Sequence, residues 1–279
     1  MMRSSRWSNP GFVVAAVLAA ALVIVIAVFS LRRFNFCSPR EVQWLKDTPI
    51  AHRGLHDDTR DENSLSAFAH AVYRGYAIEL DVRLTKDEVP VVFHDDNLSR
   101  LCGVDKSVSE MELDELKGHK LPKSGETIPT LAEALDLVNG QVPLLIEVKD
   151  FGIPGALEQR ILEVIEGYDG DYAIQSFNPL VCRYFRKHDD RLVVGLLLTD
   201  IPGLRFRGFR NLKDNLFSAI CSPGFVAYNY REVTDEVTRA LRAASVTLLG
   251  YGLYEEDISS GEYKRYVDNI IFELDSNKP

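Results

Sequence analysis

Short apolar runs alternate with amphipathic stretches from residue 49 onward, and this alternation limits the possible folds more than any other feature of the chain. The strand-like runs are residues 49–52, 77–84, 89–94, 143–149, 171–175, 191–198, 224–229, 245–249 and 269–272. Helical patterns lie between several of them, at residues 64–74, 131–138, 155–168, 179–188 and 234–244. Strands that alternate with helices form parallel sheets, so the sequence predicts an α/β fold. We expect a closed TIM-type (β/α)8 barrel, with a doubly wound open sheet as the alternative.

One segment interrupts the alternation. Residues 99–127 are polar and contain several Gly, Ser and Lys residues, which predicts a loop insertion with one short helix. No low-complexity segment or interdomain linker follows residue 46, so we expect one catalytic domain over residues 47–279.

The N-terminal part of the chain has a different character. Residues 11–31 carry no charged side chain and at about 1.5 Å per residue reach roughly 30 Å, the thickness of the hydrocarbon layer. We therefore expect a tail at 1–10, a single transmembrane anchor at 11–31 and a charged tether at 32–46. A cleavable signal peptide is the alternative, but its apolar region is shorter. The basic residues that flank the span lean weakly toward a cytoplasmic catalytic domain and leave the membrane face open.

The net charge and the cysteine spacing argue against a nucleic-acid-binding protein and against a zinc- or disulfide-based fold. The net charge of −9 argues against a nucleic-acid-binding protein, because such proteins present a basic surface. Cys37, Cys102, Cys182 and Cys221 are far apart and form no CxxC pattern, so we expect neither a zinc site nor a disulfide framework. No pattern in the chain implies a protein partner.

Acidic residues occupy strands that the pattern predicts to be buried. Glu79 and Asp81 are two residues apart and share one face of a strand, and Glu147 and Lys149 repeat this spacing later. Buried carboxylates are costly unless a partner compensates their charge. Because carboxylate oxygens are hard ligands, the three acids predict one divalent cation, Mg²⁺ or Ca²⁺. Structural ion pairs with Arg83 and Lys149 are the alternative.

Two histidines end strand-like runs, where barrel enzymes carry their catalytic groups. The imidazoles of His52 and His94 titrate near neutrality, so one can remove a proton while the other delivers one. Arg53 offers a planar fork to phosphate oxygens, and Lys149 adds a point charge. These groups together predict metal-assisted cleavage of a phosphodiester. Phe177 also follows a predicted strand and is compatible with a pocket wall and with core packing.

Other residues have structural interpretations. We expect Gly54 to meet a backbone requirement of the turn after Arg53, and Ser64 to cap the first helix of the repeat. The remaining histidines lie in loop or helix contexts and are not expected to be catalytic: His56, His70, His119 and His188.

From about residue 49 to its end, the chain resembles the glycerophosphodiester phosphodiesterase family. Seven motifs carry the resemblance: Ala51-His52-Arg53-Gly54, Glu62-Asn63-Ser64-Leu65-x-Ala67-Phe68, Ile78-Glu79-Leu80-Asp81-Val82-x-Leu84-Thr85-Lys86-Asp87, Val91-Val92-Phe93-His94-Asp95, Ile128-Pro129-Thr130-Leu131, Glu147-Val148-Lys149 and Gln175-Ser176-Phe177. The resemblance implies a TIM-type barrel in which His52 and His94 are the acid–base pair. It further implies that Glu79, Asp81 and Glu147 bind the metal and that Arg53 and Lys149 hold phosphate.

The implied substrate is a glycerophosphodiester or a lysophospholipid, cleaved to glycerol 3-phosphate and an alcohol. A neighbouring hydroxyl of the substrate would attack phosphorus first, giving a cyclic phosphate that water then opens. A phosphatidylinositol-cleaving phospholipase on the same barrel is one alternative. A tethered lipid- or phosphate-binding module without turnover is another, although the retained acids and histidines argue against it.

The chain departs from the family pattern at three places. Asp61 stands where the family usually has Pro, a loop change that we expect to be tolerated. The segment Leu249-Gly250-Tyr251-Gly252 replaces a usual Trp-Thr-Val-Asn, and Phe272-Glu273 replaces a late Thr-Asp. We expect the last two changes to alter the pocket wall and the choice of substrate.

Overall fold

Eight parallel strands close into a barrel in the computed structural model, which describes residues 43–199, 214 and 216–274. In chain order, the strands are β1 (Ile50–Ala51), β2 (Ala77–Leu84), β3 (Pro90–Val92), β4 (Leu144–Val148), β5 (Tyr172–Ser176), β6 (Val194–Leu198), β7 (Phe225–Asn229), β8 (Thr247–Tyr254) and β9 (Asn269–Glu273). Strand β1 pairs in parallel with both β2 and β9, which closes the sheet. The predicted TIM-type barrel is confirmed, and the open-sheet alternative is wrong.

Strand β3 is the exception to the parallel arrangement. It pairs antiparallel with β2, with Val92 opposite Val82, and lies outside the ring of eight. The connection between the two strands is short, and Glu88 turns the chain with φ of 60°. Antiparallel neighbours need only a hairpin, whereas a parallel pair needs a long crossover. The expectation of an entirely parallel sheet is therefore wrong for this strand.

Helices surround the barrel; five lie close to helices predicted from the sequence, whereas those at Trp44–Asp47 and Glu255–Ser260 were not predicted. The helices are α1 (Trp44–Asp47), α2 (Leu65–Arg74), α3 (Ser99–Cys102), α4 (Leu113–Lys117), α5 (Leu131–Val138), α6 (Ala156–Ile165), α7 (Pro179–His188), α8 (Asp235–Ala243) and α9 (Glu255–Ser260). The predicted cap at Ser64 is confirmed, since its hydroxyl accepts a hydrogen bond from the Ala67 N–H group.

The insertion at 99–127 has more structure than expected. It contains α3, α4 and a 3-10 turn at Val108–Glu110, where the sequence predicted one short helix. Its side chains form an apolar cluster of their own with residues of the β3 region: Val91, Phe93, Leu98, Val108, Met111, Leu116, Leu121 and Ile128. The insertion is thus a small packed unit on the side of the barrel.

Alternation along the strands separates two layers of core. Ile78, Leu80 and Val82 of β2 pack outward in the large cluster that includes the helices, while Ala77 belongs to the cluster inside the barrel. This inner cluster fills the amino-terminal half of the barrel, where Trp44 and Leu45 of α1 also pack. The carboxyl-terminal half is left to polar side chains.

Helix α1 begins within the segment that we assigned to the tether. The Asn269 amide at the start of β9 donates hydrogen bonds to the carbonyls of Leu45 and Thr48, which fixes α1 at the amino-terminal end of the barrel. Across the described residues, no helix combines the length and apolar character that a membrane span requires. The predicted anchor at 11–31 lies outside the described residues and stays a prediction.

Candidate active site

The predicted site residues converge at the carboxyl-terminal end of the barrel. His52 follows β1, Glu79 and Asp81 lie on β2, and Glu147 lies on β4. Asp81 is the register partner of Glu147 across the β2–β4 ladder, so the two carboxylates stand side by side. This is the end at which TIM-type barrels carry their chemistry.

The three acids form a compact oxygen cluster. Glu79, Asp81 and Glu147 are 0%, 0% and 5% exposed, and one oxygen of each lies within 4.8 Å of the others. Among the described residues, Glu79 Oε1 has no hydrogen-bond partner. Lys149 Nζ lies 3.0 Å from Asp81 Oδ1 and also contacts Glu147. A buried oxygen without a partner, beside two others, fits the ligand set of a hard divalent cation.

Burial and mutual repulsion perturb these carboxyl groups. Burial, followed by the charges of Asp81 and Glu147, raises the pKa of Glu79 well above its ordinary value. Burial, followed by the charge of Asp81, raises the pKa of Glu147 to about 7. Burial acts in the same direction on Asp81, but the charges of Lys149 and Arg53 outweigh it and lower the pKa of that group. Negative charge in the cluster is therefore only partly compensated by the two cations.

The ion-pair interpretation of the acids holds only in part. Lys149 does pair with two of them, as that alternative expects. Arg83 instead pairs with Asp96 at 3.3 Å and donates a hydrogen bond from Nε to the His94 carbonyl at 2.9 Å. Among the described residues, structural pairs therefore leave Glu79 Oε1 without a partner, and a cation remains the better fit.

A carboxylate holds the imidazole of His52. Its Nδ1 atom lies 2.7 Å from Glu273 Oε1, and its Nε2 atom lies 4.0 Å from Glu79 Oε2. The backbone N–H of His52 donates to the Phe272 carbonyl, which joins β1 to β9 at this level. The ring is therefore oriented with Nε2 toward the acid cluster.

A second carboxylate holds the imidazole of His94. Its Nδ1 atom lies 2.7 Å from Asp95 Oδ1. Burial lowers the pKa of His94, and the charge of Asp81 opposes this shift without cancelling it. The charges of His94 and His52 both act on Asp81, so both imidazoles lie around the same carboxylate. A neutral imidazole near pH 7 is suited to accept a proton.

The turn after β1 directs Arg53 into the site. Arg53 has φ of 55°, its Nη1 donates to Glu62 Oε1 at 2.7 Å, and its Nε lies 3.3 Å from Asp81 Oδ2. Gly54 follows with φ of 78°, and a Cβ there would lie 2.8 Å from the Phe68 ring. The expected backbone requirement at Gly54 is confirmed, because a side chain would meet both strain and a clash.

Asn63 fixes the orientation of Asp81. The Asn63 amide donates to Asp81 Oδ2 at 2.8 Å, and the Asp81 backbone N–H donates to Asn63 Oδ1 at 3.3 Å. The sequence identified Asn63 only as a member of the motif that begins Glu62-Asn63-Ser64. Asn63 therefore belongs to the support of the acid cluster.

Asp61 has a structural role beyond the tolerated loop change that we expected. It is 1% exposed, and its Oδ2 atom accepts hydrogen bonds from the Lys123 and Ser124 backbone N–H groups at 3.0 and 2.7 Å. The Ser124 hydroxyl adds a third at 2.8 Å. Asp61 thus ties the insertion to the loop that carries Glu62 and Asn63.

Phe177 lies at the wall of the barrel interior. Its ring packs edge-on against Tyr251, with centroids 6.2 Å apart, and both rings lie against the inner apolar cluster. The Tyr251 hydroxyl donates to the Leu198 carbonyl at 3.0 Å. The departure at 249–252 therefore changes the wall beside Phe177, whose contact with substrate stays a prediction.

Sequence reasoning did not predict the contacts of several residues that the structure brings to the site. Glu273 is 221 positions from His52, and no local pattern links the two. Asp95 adjoins His94, so adjacency was an available signal. Burial lowers the pKa of His56 to about 4, and the charges of Glu273 and His52 act on it. His56, which we did not expect to be catalytic, therefore lies in a loop beside the site.

The comparisons with known proteins all identify the same family. The model of the Glycerophosphoryl diester phosphodiesterase family matches residues 52–273. The chain is 36% identical over 170 residues to a Glycerophosphodiester phosphodiesterase of Caldanaerobacter subterraneus, covering 55% of this chain and 67% of that protein. It is 28% identical over 196 residues to human Glycerophosphodiester phosphodiesterase 1, covering 65% and 59%. Human Lysophospholipase D GDPD1 is 32% identical over 168 residues, covering 59% and 50%.

Solved structures match over a larger share of their length. An Oleispira antarctica phosphodiesterase in complex with the product sn-glycerol-3-phosphate is 25% identical with a TM-score of 0.69, covering 81% of this chain and 92% of that one. A glycerophosphodiester phosphodiesterase from Thermotoga maritima is 26% identical with a TM-score of 0.64, covering 81% and 94%.

Proposed function

Because the chain belongs to the glycerophosphoryl diester phosphodiesterase family, we propose that it hydrolyses glycerophosphodiesters to glycerol 3-phosphate and an alcohol. The observation that carries the proposal is the convergence of a buried carboxylate cluster with two carboxylate-held imidazoles. Arg53 and Lys149 add positive charge beside this cluster, where a phosphodiester would bind. Few reactions other than phosphoryl transfer use this whole set of groups.

Glu79, Asp81 and Glu147 would hold one Mg²⁺ or Ca²⁺ ion, which when bound supplies charge stabilisation to the phosphate oxygens. Arg53 and Lys149 bind and orient those oxygens. Both side chains already lie against the acid cluster and compensate its charge only in part, so the divalent cation would also be needed to offset the charge of a bound phosphate.

His52 and His94 move the protons. One imidazole accepts the proton of the attacking substrate hydroxyl as its oxygen bonds to phosphorus, and the other donates a proton to the alcohol oxygen as its bond to phosphorus breaks. The resulting cyclic phosphate is opened by water with the two roles exchanged. Glu273 and Asp95 keep the Nδ1 atoms occupied, which leaves each Nε2 atom to exchange protons.

The test is a product assay with the full chain and glycerophosphocholine. We expect release of glycerol 3-phosphate in the presence of Mg²⁺ or Ca²⁺ and loss of activity after EDTA treatment. His52→Ala and His94→Ala should each abolish turnover, while His119→Ala serves as a matched control. Full activity in EDTA, or in either active-site variant, would refute the proposed mechanism.

A lysophospholipid is the second candidate substrate. Phe151 and Ile153 are 72% and 89% exposed in the loop that follows Lys149. A cavity of about 320 Å³ lies there, with Lys149, Leu84 and Ile153 among its lining residues. An apolar rim beside a phosphate site favours a substrate that carries an acyl chain. Ile153→Ser should then slow turnover of lysophosphatidylcholine and leave glycerophosphocholine turnover unchanged; equal effects would exclude this substrate.

We also propose that residues 11–31 anchor the protein in the cell membrane, since their length and lack of charge suit a single span. The full chain should remain with membranes after alkaline carbonate extraction. Release into the supernatant would exclude the anchor.

A further inference from the structure

Arg100 connects the insertion to the candidate site through two carboxylates. It lies on α3, outside the ring of barrel strands. Its Nε donates to Asp95 Oδ2 at 2.6 Å. Its Nη1 and Nη2 donate to Glu62 Oε2 and Oε1 at 2.8 and 2.6 Å. One guanidinium therefore holds two acidic side chains from different loops.

Each of these carboxylates also holds a residue of the site. Asp95 uses its other oxygen, Oδ1, to hold His94 Nδ1 at 2.7 Å. Glu62 accepts a hydrogen bond from Arg53 Nη1 at 2.7 Å. Arg100 thus occupies the centre of a continuous chain of contacts with His94 at one end and Arg53 at the other.

We infer that Arg100 is a positioning residue: through Asp95 and Glu62 it fixes the His94 imidazole and the Arg53 guanidinium relative to each other. The inference rests on the proposed function, in which His94 transfers a proton and Arg53 binds the phosphate. A proton can pass between the imidazole and a reacting oxygen only if the imidazole and the bound phosphate keep one geometry. Arg100 supplies that geometry from outside the barrel.

The chemistry of arginine suits this role. Its planar guanidinium presents several N–H donors in a fixed fork, whereas a lysine ammonium is a single point charge on a flexible stem. Arg100 is 47% exposed, and an exposed ion pair adds little to folding stability. The contribution of Arg100 therefore lies in the orientation of two partly buried carboxylates, Glu62 and Asp95.

Two features keep the network in place. Leu98, two residues before Arg100, is fully buried in the cluster of the insertion, and Asp61 ties the insertion to the loop of Glu62. Burial alone would raise the pKa of Glu62, but the hydrogen bonds and charges of Arg100 and Arg53 lower it to about 2. Glu62 therefore stays ionised throughout the neutral range, and its contacts with both arginines persist.

The activity test compares Arg100→Ala and Arg100→Lys in the full chain, with Lys106→Ala as matched control. Lys106 belongs to the same insertion and forms an ion pair at the surface with Glu115 at 2.6 Å. We expect kcat to fall about tenfold in Arg100→Ala, with partial recovery in Arg100→Lys and no change in the control. A kcat within twofold of wild type in Arg100→Ala, or an equal loss in Lys106→Ala, would overturn the inference.

A binding measurement separates this inference from the proposed function. Calorimetric titration with inorganic phosphate in the presence of Mg²⁺ reports on Arg53 without turnover. We expect Arg100→Ala to weaken phosphate affinity about threefold. Unchanged phosphate affinity in Arg100→Ala contradicts the link from Arg100 to Arg53, whether or not the wild type is active in the product assay. A wild type that binds phosphate but cleaves no diester refutes the proposed function alone.

Discussion

At the residue scale, Glu273 shows how one side chain can complete a site from the far end of a sequence. It stands where the resemblance leads us to expect Asp, and its longer side chain places Oε1 2.7 Å from His52 Nδ1. The hydrogen bond and charge of His52 lower the pKa of Glu273 against the opposing effect of burial. An ionised Glu273 orients the imidazole through this contact.

Glu273→Gln keeps the shape of this contact and removes its charge. We expect kcat to fall about tenfold with a smaller change in KM, because a neutral amide holds the imidazole less firmly than the carboxylate does. Steady-state kinetics with glycerophosphocholine measures the effect, and the exposed Glu262→Gln is the control. Equal kcat values for Glu273→Gln and wild type would show that the contact has no part in turnover.

The raised pKa of Glu147 predicts a pH-dependent response to metal. Its folded-state pKa of about 7 lies above the ordinary 4.5, so the ionised form is disfavoured by folding. Without a cation, the folding stability contributed by protonated Glu147 is fully present below the unfolded pKa and is lost as pH rises through about 7. A divalent cation binds the ionised carboxylates, so the rise in Tm on adding Mg²⁺ should grow from pH 5 to pH 8. Thermal unfolding with Mg²⁺ or EDTA measures it, and a shift that shrinks with pH would contradict the assignment.

At the scale of elements, the insertion and the loop after β1 behave as one unit because Asp61 joins them. Three donors of Lys123 and Ser124 converge on one buried carboxylate. The Asp61 side chain thereby replaces a backbone restraint that Pro would otherwise supply through its fixed φ.

Asp61→Ala should therefore destabilise the fold by about 2 kcal/mol, since it leaves buried N–H groups without an acceptor. Urea denaturation measures the change, and the exposed Asp114→Ala in the same insertion is the control. We also expect faster proteolysis within residues 99–127. If Asp61→Ala is as stable as wild type, Asp61 has no structural role and is only the tolerated loop change that the sequence suggested.

The sequence predicted elements well where their pattern is local. Bounds agree for β2, α5 and α7, because each has a regular apolar period and clear end signals. The insertion was underestimated because its core draws on β3 and on irregularly spaced loop residues. The acid cluster followed from spacing on two strands, whereas the Glu273–His52 pair depends on barrel closure, which brings the last strand beside the first.

At the scale of the whole molecule, the barrel interior is divided between two ends. Apolar residues and α1 fill the amino-terminal half, and the acids and imidazoles occupy the other half. Stability and chemistry are therefore served by different groups of inward-facing side chains.

Leu45→Ala tests this division. Leu45 is 2% exposed, so its truncation should destabilise the fold by about 2–4 kcal/mol, while kcat below the unfolding temperature stays within twofold of wild type. Chemical denaturation and the product assay measure the two effects. Tyr73→Ala, at a side chain that is 85% exposed, is the control. A large loss of kcat in folded Leu45→Ala would show that the two halves are coupled.

The position of α1 also bears on how the protein meets its substrate. The polypeptide enters the barrel through Trp44 and Thr48, at the face opposite to His52 and the carboxylates. Whatever precedes residue 43 therefore joins the barrel at the face opposite to the catalytic opening, so substrate can reach the carboxylates without passing that junction.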